Sequence, residues 1–217
     1  MGKNIISYSV WGSNPKYTNG ALENLKCAKQ FYPDWICRFY VGNNVPKPIV
    51  EALEMKPCEV VKVDRDGSKD GLFWRFSPAW DPDVDVFLSR DTDSRIIARE
   101  CAAVHEWLTK FPQFMVHTIR DNPSHTAHLM GGLSGYRKGF MPNFKQELDA
   151  YVAAMQPTIE GRGDPRTPYF NSDQHFLTEK VWPVVRMSVL AHDECHHFNG
   201  LERKFPLAMQ NGVFCGA

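Results

Sequence analysis

Short apolar runs that alternate with amphipathic segments restrict the fold of this sequence more than any other feature. Four runs have the apolar, β-branched and aromatic content of buried strands: residues 4–10 (NIISYSV), 36–42 (ICRFYVG), 58–64 (CEVVKVD) and 84–89 (VDVFLS). In the fourth run, Val84, Val86 and Leu88 are expected on one face of the strand and Phe87 on the other.

Helical spacing of apolar residues marks the segments between and after these runs. Residues 19–32 and 94–110 each predict a helix with one apolar face: Ala21, Leu25, Ala28 and Tyr32 in the first, and Ile97, Cys101, Val104 and Leu108 in the second. Residues 143–155 and 172–182 predict two later helices, the second of them stopped by Pro183. Strands and helices in this order predict an α/β sandwich with a mixed, mainly parallel central sheet flanked by helices.

Composition and charge exclude several classes of protein. The 217 residues include 25 Lys and Arg against 25 Asp and Glu, so the chain lacks the basic excess of a general nucleic-acid or membrane-surface binder. No apolar run approaches about 18 residues, so no membrane span is predicted. Six cysteines without C-x-x-C spacing and no signal-peptide pattern predict reduced thiols and a cytoplasmic protein.

Asp91 and Asp93 follow the fourth predicted strand, where ligands gather in open α/β sheets. Two carboxylates spaced i, i+2 on a turn can share a hard cation such as Mg²⁺ or Mn²⁺. Capping of the helix that begins near Ser94 is the structural alternative. Residues 81–86 (DPDVDV) start like a calcium-binding EF-hand loop, but Val86 and Thr92 replace its glycine and glutamate.

Six segments in succession resemble those of a known family. They are SRDTDSR (89–95), RECAAVHEWL (99–108), IRDNPSH (119–125), GGLSGYR (131–137), DQHFL (173–177) and VLAHDE (189–194). In this order they resemble small, metal-dependent glycosyltransferases of the GT-A type, whose fold is Rossmann-like. The similarity extends from about Ile5 to Phe214. Compact domains of this kind occur in bacterial cell-surface loci and in large DNA viruses such as the chlorella viruses.

The resemblance implies a single domain over residues 1–217. Residues 1–95 would form the nucleotide-binding half, and residues 96–217 the half that binds the sugar and the acceptor. The abrupt end at residues 212–217 (GVFCGA) suggests a domain excised from a longer chain. The loop predicted at residues 157–171, which contains Arg162 and Arg166, would shape the acceptor side or close over the donor.

A metal site is the first consequence of the resemblance. Asp91 and Asp93 would hold Mn²⁺ (or Mg²⁺) against the two phosphates of a sugar nucleotide, and His192 would complete the metal shell. Arg90 departs from the pattern, because many relatives have aspartate or leucine at that position.

Donor-binding and catalytic roles follow in the same way. Asp64 would accept the uracil N–H, Arg75 would contact the base or a phosphate, and Ser9 would pack against the nucleotide. Gly131 and Gly132 would let the backbone approach the sugar. Asp121 and Asp173 would bind sugar hydroxyls, with Gln174 near the anomeric carbon. An inverting enzyme needs a carboxylate base, for which Asp121 or Asp173 could serve, whereas a retaining enzyme needs no such base. The implied donor-binding residues are Ser9, Asp64, Arg75, Asp91, Asp93, Gly131 and Gly132, and the implied catalytic residues are Asp121, Asp173 and Gln174.

Structural roles are open for several of these residues. Asp173 and Gln174 can simply cap the helix that they begin. Arg120 and Asp121 can form an ion pair on a turn. The segment HDECHH (192–197) can bind zinc through His192, Cys195 and His196.

The predicted function is sugar transfer from a nucleotide-sugar donor, expected to be a UDP-sugar, to a hydroxyl of a glycan or glycoprotein acceptor. The expected location is the cytoplasm, or the host cytoplasm if the protein is viral. A non-catalytic module that binds nucleotide sugar or carbohydrate is one alternative. A metal-dependent phosphatase is another, although Arg95 stands where the D-x-D-x-T motif of aspartyl-phosphate phosphatases has its threonine.

Overall fold

The computed structural model describes residues 2–158, 168–198 and 202–217. Arg162 and Arg166, with most of the predicted loop at 157–171, lie outside the described residues. The strands are β1 (Lys3–Val10), β2 (Ile36–Gly42), β3 (Glu59–Val63), β4 (Val84–Arg90), β5 (Val116–Arg120), β6 (Leu133–Arg137) and β7 (Val189–Asp193). The α-helices are α1 (Pro15–Phe31), α2 (Lys47–Glu54), α3 (Ala98–Lys110), α4 (Phe144–Ala154), α5 (Ser172–Phe176) and α6 (Trp182–Val185). There are 3₁₀ helices at Gly71–Trp80 and Arg186–Ser188, and a π-helix at Leu177–Val181.

The seven strands form a mixed, mainly parallel sheet in the order β3-β2-β1-β4-β6-β5-β7, which confirms the predicted architecture. β6 runs antiparallel to both of its neighbours, and the other pairs are parallel. Because β4 and β6 are antiparallel, Arg90 at the end of β4 pairs with Leu133 at the start of β6. The residues after β4 and those before β6 therefore meet at one edge of the sheet.

The core has two layers, one on each face of the sheet. Ile5 packs in one layer and Ile6 in the other, as the alternation of side chains along a strand requires. The layer containing Ile6 includes residues of α1, α2 and α3, among them Trp107. The layer containing Ile5 includes residues of the Gly71–Trp80 helix, α4 and α5, among them Phe176.

Two local predictions are wrong. Val84 packs in the layer of Phe87, not with Val86 and Leu88, because an extra residue, Asp85, bulges out of the pairing between β1 and β4. Pro183 does not stop the preceding helix. It lies in the first turn of α6, directly after the π-helix, where its missing N–H interrupts no α-helical hydrogen bond.

No helix in the described part of the chain combines the length and the hydropathy that crossing a bilayer requires.

Candidate active site

Seven of the predicted site residues come together at the edge of the sheet where β1 and β4 end and β6 begins. The 3₁₀ helix at Gly71–Trp80 contributes one of them, and α5 contributes two. The seven residues are Ser9, Arg75, Asp91, Gly131, Gly132, Asp173 and Gln174.

Arg75 links the members of this group. Its guanidinium is buried and forms ion pairs with Asp91 and Asp173. Its backbone N–H donates to the Ser9 hydroxyl at 2.9 Å. Burial alone would lower the pKa of Arg75, but the two facing carboxylates outweigh burial and raise that pKa, so the side chain stays charged. Arg75 therefore fixes the positions of both carboxylates.

Asp173 is the buried carboxylate of the pair. Burial raises its pKa, Arg75 opposes this rise, and the charge of Asp91 adds to it, so that the pKa lies above its ordinary value. Asp173 also packs against the loop before β6, where a Cβ on Gly131 would lie 2.6 Å from its Oδ2. A glycine is needed at position 131 because the carboxylate occupies that space.

Asp91 is the carboxylate of the pair that faces solvent, with 44% of its side chain exposed. It rests on the backbone of Gly132, where a Cβ would overlap Asp91 Oδ2. One side of the carboxylate is thus held by Arg75 and Gly132, while the other remains open to a ligand.

Asp93 lies two residues further on and pairs with a different cation. Its Oδ2 lies 2.7 Å from Lys16 Nζ, and 26% of its side chain is exposed. The lysine is itself 62% exposed, so this ion pair is weak and can be exchanged.

Asp91 and Asp93 carry carboxylate oxygens, the ligand type that a hard cation favours, and they pair with two different cationic side chains. In the part of the chain that the structure describes, no group of three or more His, Cys, Asp or Glu side chains is placed to hold a metal ion. Mg²⁺ and Mn²⁺ favour oxygen ligands, and Mg²⁺ is usually bound by one or two carboxylates together with water and substrate phosphates. Asp91 and Asp93 supply carboxylates of the type that such a site uses, and a metal site shared by the two stays a prediction.

The turn that carries both aspartates is supported from below by α1, which the sequence analysis missed. The buried Asn24 amide donates to Thr92 O at 3.2 Å and to Ser94 O at 2.8 Å. At Gly20 a Cβ would overlap Thr92 O, so α1 can approach the turn only with glycine there. The available signal was a glycine and a buried-face asparagine four residues apart in one helix.

Arg90, the departure from the family pattern, has a structural role. Its Nε donates to Glu100 at 2.7 Å, and both side chains are 2% exposed. Its Nη1 also donates to Ser134 O at 2.9 Å. Arg90 therefore ties the end of β4 to α3 and β6 beneath the two aspartates.

Gln174 uses its side-chain amide to hold the loop before β6. Its Oε1 accepts the Gly131 N–H at 3.0 Å, and its Nε2 donates to Leu129 O. The amide thus positions the backbone beside Asp173.

Asp64 lies apart from this group, as an exposed residue just after edge strand β3. Its carboxylate accepts from the Asn43 amide at 3.3 Å. It borders a cavity of about 380 Å³ that Lys47 and Lys62 also line. The predicted contact with a base stays a prediction.

Asp121 does not join this group, and its contacts do not support the predicted contact with the sugar or the role of a base. Arg99 donates to its two oxygens at 2.9 and 2.8 Å, and the Cys215 N–H donates to it at 3.0 Å. Its side chain is 0% exposed. A carboxylate with these partners and no exposed surface has no room for a substrate hydroxyl.

The contacts of His192 likewise do not support the predicted role of metal ligand. It is fully buried in β7, with Nδ1 2.8 Å from His117 Nε2 and Nε2 3.0 Å from Glu106 Oε2. Both ring nitrogens are therefore occupied within the core. The zinc alternative has no support either, because the described residues of the 192–197 segment form no group of three ligands. Asp193 instead accepts the backbone N–H groups of the three residues 195–197.

Known proteins resemble this chain in structure but not detectably in sequence. No protein-family model and no curated protein matches it. The mannosyltransferase PcManGT from Pyrobaculum calidifontis, solved in complex with GDP-Man and Mn²⁺, superposes with a TM-score of 0.51 and 12% identity, over 89% of this chain and 55% of that one. The chain has a glycosyltransferase fold. This confirms the fold that the sequence resemblance implied, in a chain that spans about half of that mannosyltransferase.

Two further solved structures are similar at lower scores. A glycosyltransferase involved in the glycosylation of the major capsid of PBCV-1 has a TM-score of 0.48 and 13% identity, over 88% of this chain and 81% of that one. TarS (residues 1–349) from S. aureus has a TM-score of 0.49 and 13% identity, over 82% of this chain and 56% of that one.

Proposed function

We propose that the protein is a metal-dependent glycosyltransferase, which moves a sugar from a nucleotide-sugar donor, a UDP-sugar, to a hydroxyl of a glycan or glycoprotein acceptor. The observation that carries this proposal is the position of the Asp91 carboxylate. It is held by Arg75 and Gly132 at the carboxyl end of β4, open to solvent on its other side, and joined through Arg75 to Asp173.

Each residue of the group has a task in such a transfer. Asp91 and Asp93 would hold Mn²⁺ or Mg²⁺, which when bound would neutralise charge on the departing diphosphate. Arg75 holds the Asp91 and Asp173 carboxylates in position. Gly131 and Gly132 leave room beside the backbone for the Asp173 and Asp91 carboxylates, which would face the donor. Of the two predicted bases, Asp173 lies in the site, whereas Asp121 has no free face.

Calorimetry with UDP and Mn²⁺ tests the proposal. The wild-type protein is expected to bind UDP when Mn²⁺ is present and much more weakly with EDTA. Asp93→Asn keeps the size of the side chain and gives up an exchangeable surface ion pair, so the fold should be retained. We expect this variant to lose at least about tenfold in metal-dependent affinity, in line with changes around metal sites.

Asp149→Asn is the matched control, because Asp149 also pairs with an exposed lysine, Lys145, but on α4. It should bind like the wild type. Equal affinities for the wild type and Asp93→Asn, or UDP binding that ignores Mn²⁺, would defeat the proposal.

Product analysis with a panel of sugar nucleotides separates the alternatives. A transferase releases UDP and glycosylates an acceptor. A binding module gives neither product, and a phosphatase releases inorganic phosphate.

A further inference from the structure

The buried Asp121 is one end of a set of contacts that leads back to the active-site turn. Its carboxylate is held in two places by Arg99 and receives the backbone N–H of Cys215. Paired, charge-assisted bonds of this geometry are among the strongest that a side chain makes. Asp121 therefore fastens α3 to residue 215, far along the chain.

Arg99 also contacts the same C-terminal segment directly, at two residues before Cys215. Its Nη1 donates to Leu207 O, and its guanidinium lies 3.8 Å from the centroid of the Phe205 ring. Upstream, Arg203 pairs with β7 through two backbone hydrogen bonds, from Arg203 N to Ala191 O at 2.9 Å and from Asp193 N to Arg203 O at 3.1 Å. We call residues 202–217 the C-terminal strap.

The far end of the strap touches the active-site turn. The Arg95 N–H donates to Ala217 O at 3.2 Å. The Arg95 guanidinium turns back onto the turn and donates to Thr92 O at 3.0 Å and Ser94 O at 2.9 Å. The turn is therefore held by Asn24 of α1 from one direction and by the strap through Arg95 from another.

The strap also supports the opposite wall of the site. Cys215 packs in a buried cluster with Leu133, the residue that follows Gly132. Gly216 has φ +90°, and a Cβ there would lie 3.0 Å from Leu133 Cδ1. A side chain at position 216 would thus both strain the backbone and push against the start of β6.

We propose that the C-terminal strap positions Asp91 and Asp93 for the donor, and that Asp121 and Arg99 are positioning residues that clamp it. Asp121 then acts on the reaction through the strap and Arg95, without contact with the substrate. This inference rests on the proposed function as far as donor binding is concerned. The ordering of the turn by the strap does not depend on it.

Two strap glycines provide a matched pair of variants. Gly216 and Gly212 both have positive φ, +90° and +71°, but a Cβ at Gly212 meets nothing within 4 Å. Valine is strained at either position, so both variants carry a similar backbone cost. Gly216→Val alone pushes the strap away from Leu133. Asp121→Asn tests the clamp, and Gly216→Val keeps the test valid if that variant fails to fold.

The first measurement is hydrogen exchange of the backbone amides of residues 92–96 without ligand. Gly216→Val and Asp121→Asn should exchange these amides faster by about tenfold or more, while Gly212→Val should match the wild type. The second is UDP binding with Mn²⁺, which should weaken on the order of tenfold in the first two variants, as for other indirect supports of metal sites.

Unchanged exchange at 92–96 in Gly216→Val would overturn the inference, as would faster exchange with unchanged donor affinity. If the wild type does not bind UDP and Mn²⁺, the proposed function and the donor-binding part of this inference fail together. The exchange data then still decide whether the strap orders the turn.

Discussion

At the scale of single residues, a substitution at Gly132 should change ligand binding without changing the stability of the fold. A Cβ at this position overlaps the end of the Asp91 side chain, which can rotate away at little cost to stability. Gly132→Ala should therefore unfold close to the wild-type temperature but lose at least about tenfold in Mn²⁺-dependent affinity for UDP, a loss typical of disturbed metal sites. Calorimetry and thermal unfolding check the two halves of this prediction.

Gly139 is the opposite case, because a substitution there should change stability without changing ligand binding. Its φ is +78° and a Cβ there would meet nothing within 4 Å. Gly139→Ala should thus cost about 1–2 kcal/mol of stability, the cost of the left-handed conformation, and bind UDP normally. Wild-type affinity in Gly132→Ala would contradict the account of Asp91 given above.

Ordered motifs in the sequence identified most of the residues that meet in the site, but not what each contacts. The partners that remove Asp121 and His192 from the site lie 22 to 94 residues away in the chain. Short-range sequence patterns do not predict contacts between residues so far apart in the chain. Asn24 was missed for the reverse reason, since a polar residue in an amphipathic helix is usually exposed.

At the scale of secondary-structure elements, the long periodic segments were predicted well and the short ones were not. β5 (VHTIR) is buried at all five positions but carries His117, Thr118 and Arg120, so no apolar run marks it. The side chains of His117 and Arg120 are stabilised by His192 and Asp193, on a strand more than 70 residues later. α2 has eight residues and begins among prolines, which are also typical of turns.

The contact between β5 and β7 predicts a pH dependence of stability. Burial lowers the pKa of both His117 and His192 below the ordinary value of 6.5. His192 and Arg90 lower the pKa of His117 further, whereas Glu106 opposes the lowering at His192. Below about pH 6.5 these histidines bind protons in the unfolded chain but stay neutral in the folded protein. The free energy of unfolding therefore falls as the pH falls. The free energy of unfolding should decline between pH 7 and 5, by up to about 1.4 kcal/mol per pH unit for each such histidine.

Urea unfolding of His117→Gln across this range isolates one contribution, because the variant should show a flatter decline whatever its stability at pH 7. Ile119→Val, in the same buried strand, is the control. It should lower stability by about 0.5–1.5 kcal/mol at every pH and keep the wild-type slope. Parallel curves for the wild type and His117→Gln would rule out the buried histidine as a source of the slope.

At the scale of the whole molecule, the sheet joins the two halves that the sequence analysis distinguished. β4 ends the 1–95 half, yet it pairs with β6 of the 96–217 half over five residue pairs. Phe87 and Tyr136 stack across this junction with ring centroids 4.9 Å apart. Both core layers draw residues from both halves. The functional division predicted at residue 95 therefore does not divide the hydrophobic core or the sheet.

Shared packing predicts that both halves unfold together. Leu88→Ala in β4 and Leu148→Ala in α4 each empty a buried site, so each should cost about 2–5 kcal/mol. In a single cooperative unit, either change lowers the protection of the slowest-exchanging amides in both halves by the same free energy. Hydrogen exchange under mildly denaturing conditions measures this protection. Met187→Ala is a near-neutral control, because Met187 is 88% exposed. If Leu148→Ala weakened protection in residues 96–217 alone, the halves would be separate folding units. The pairing of β4 with β6 would then be a contact between two independently folded domains.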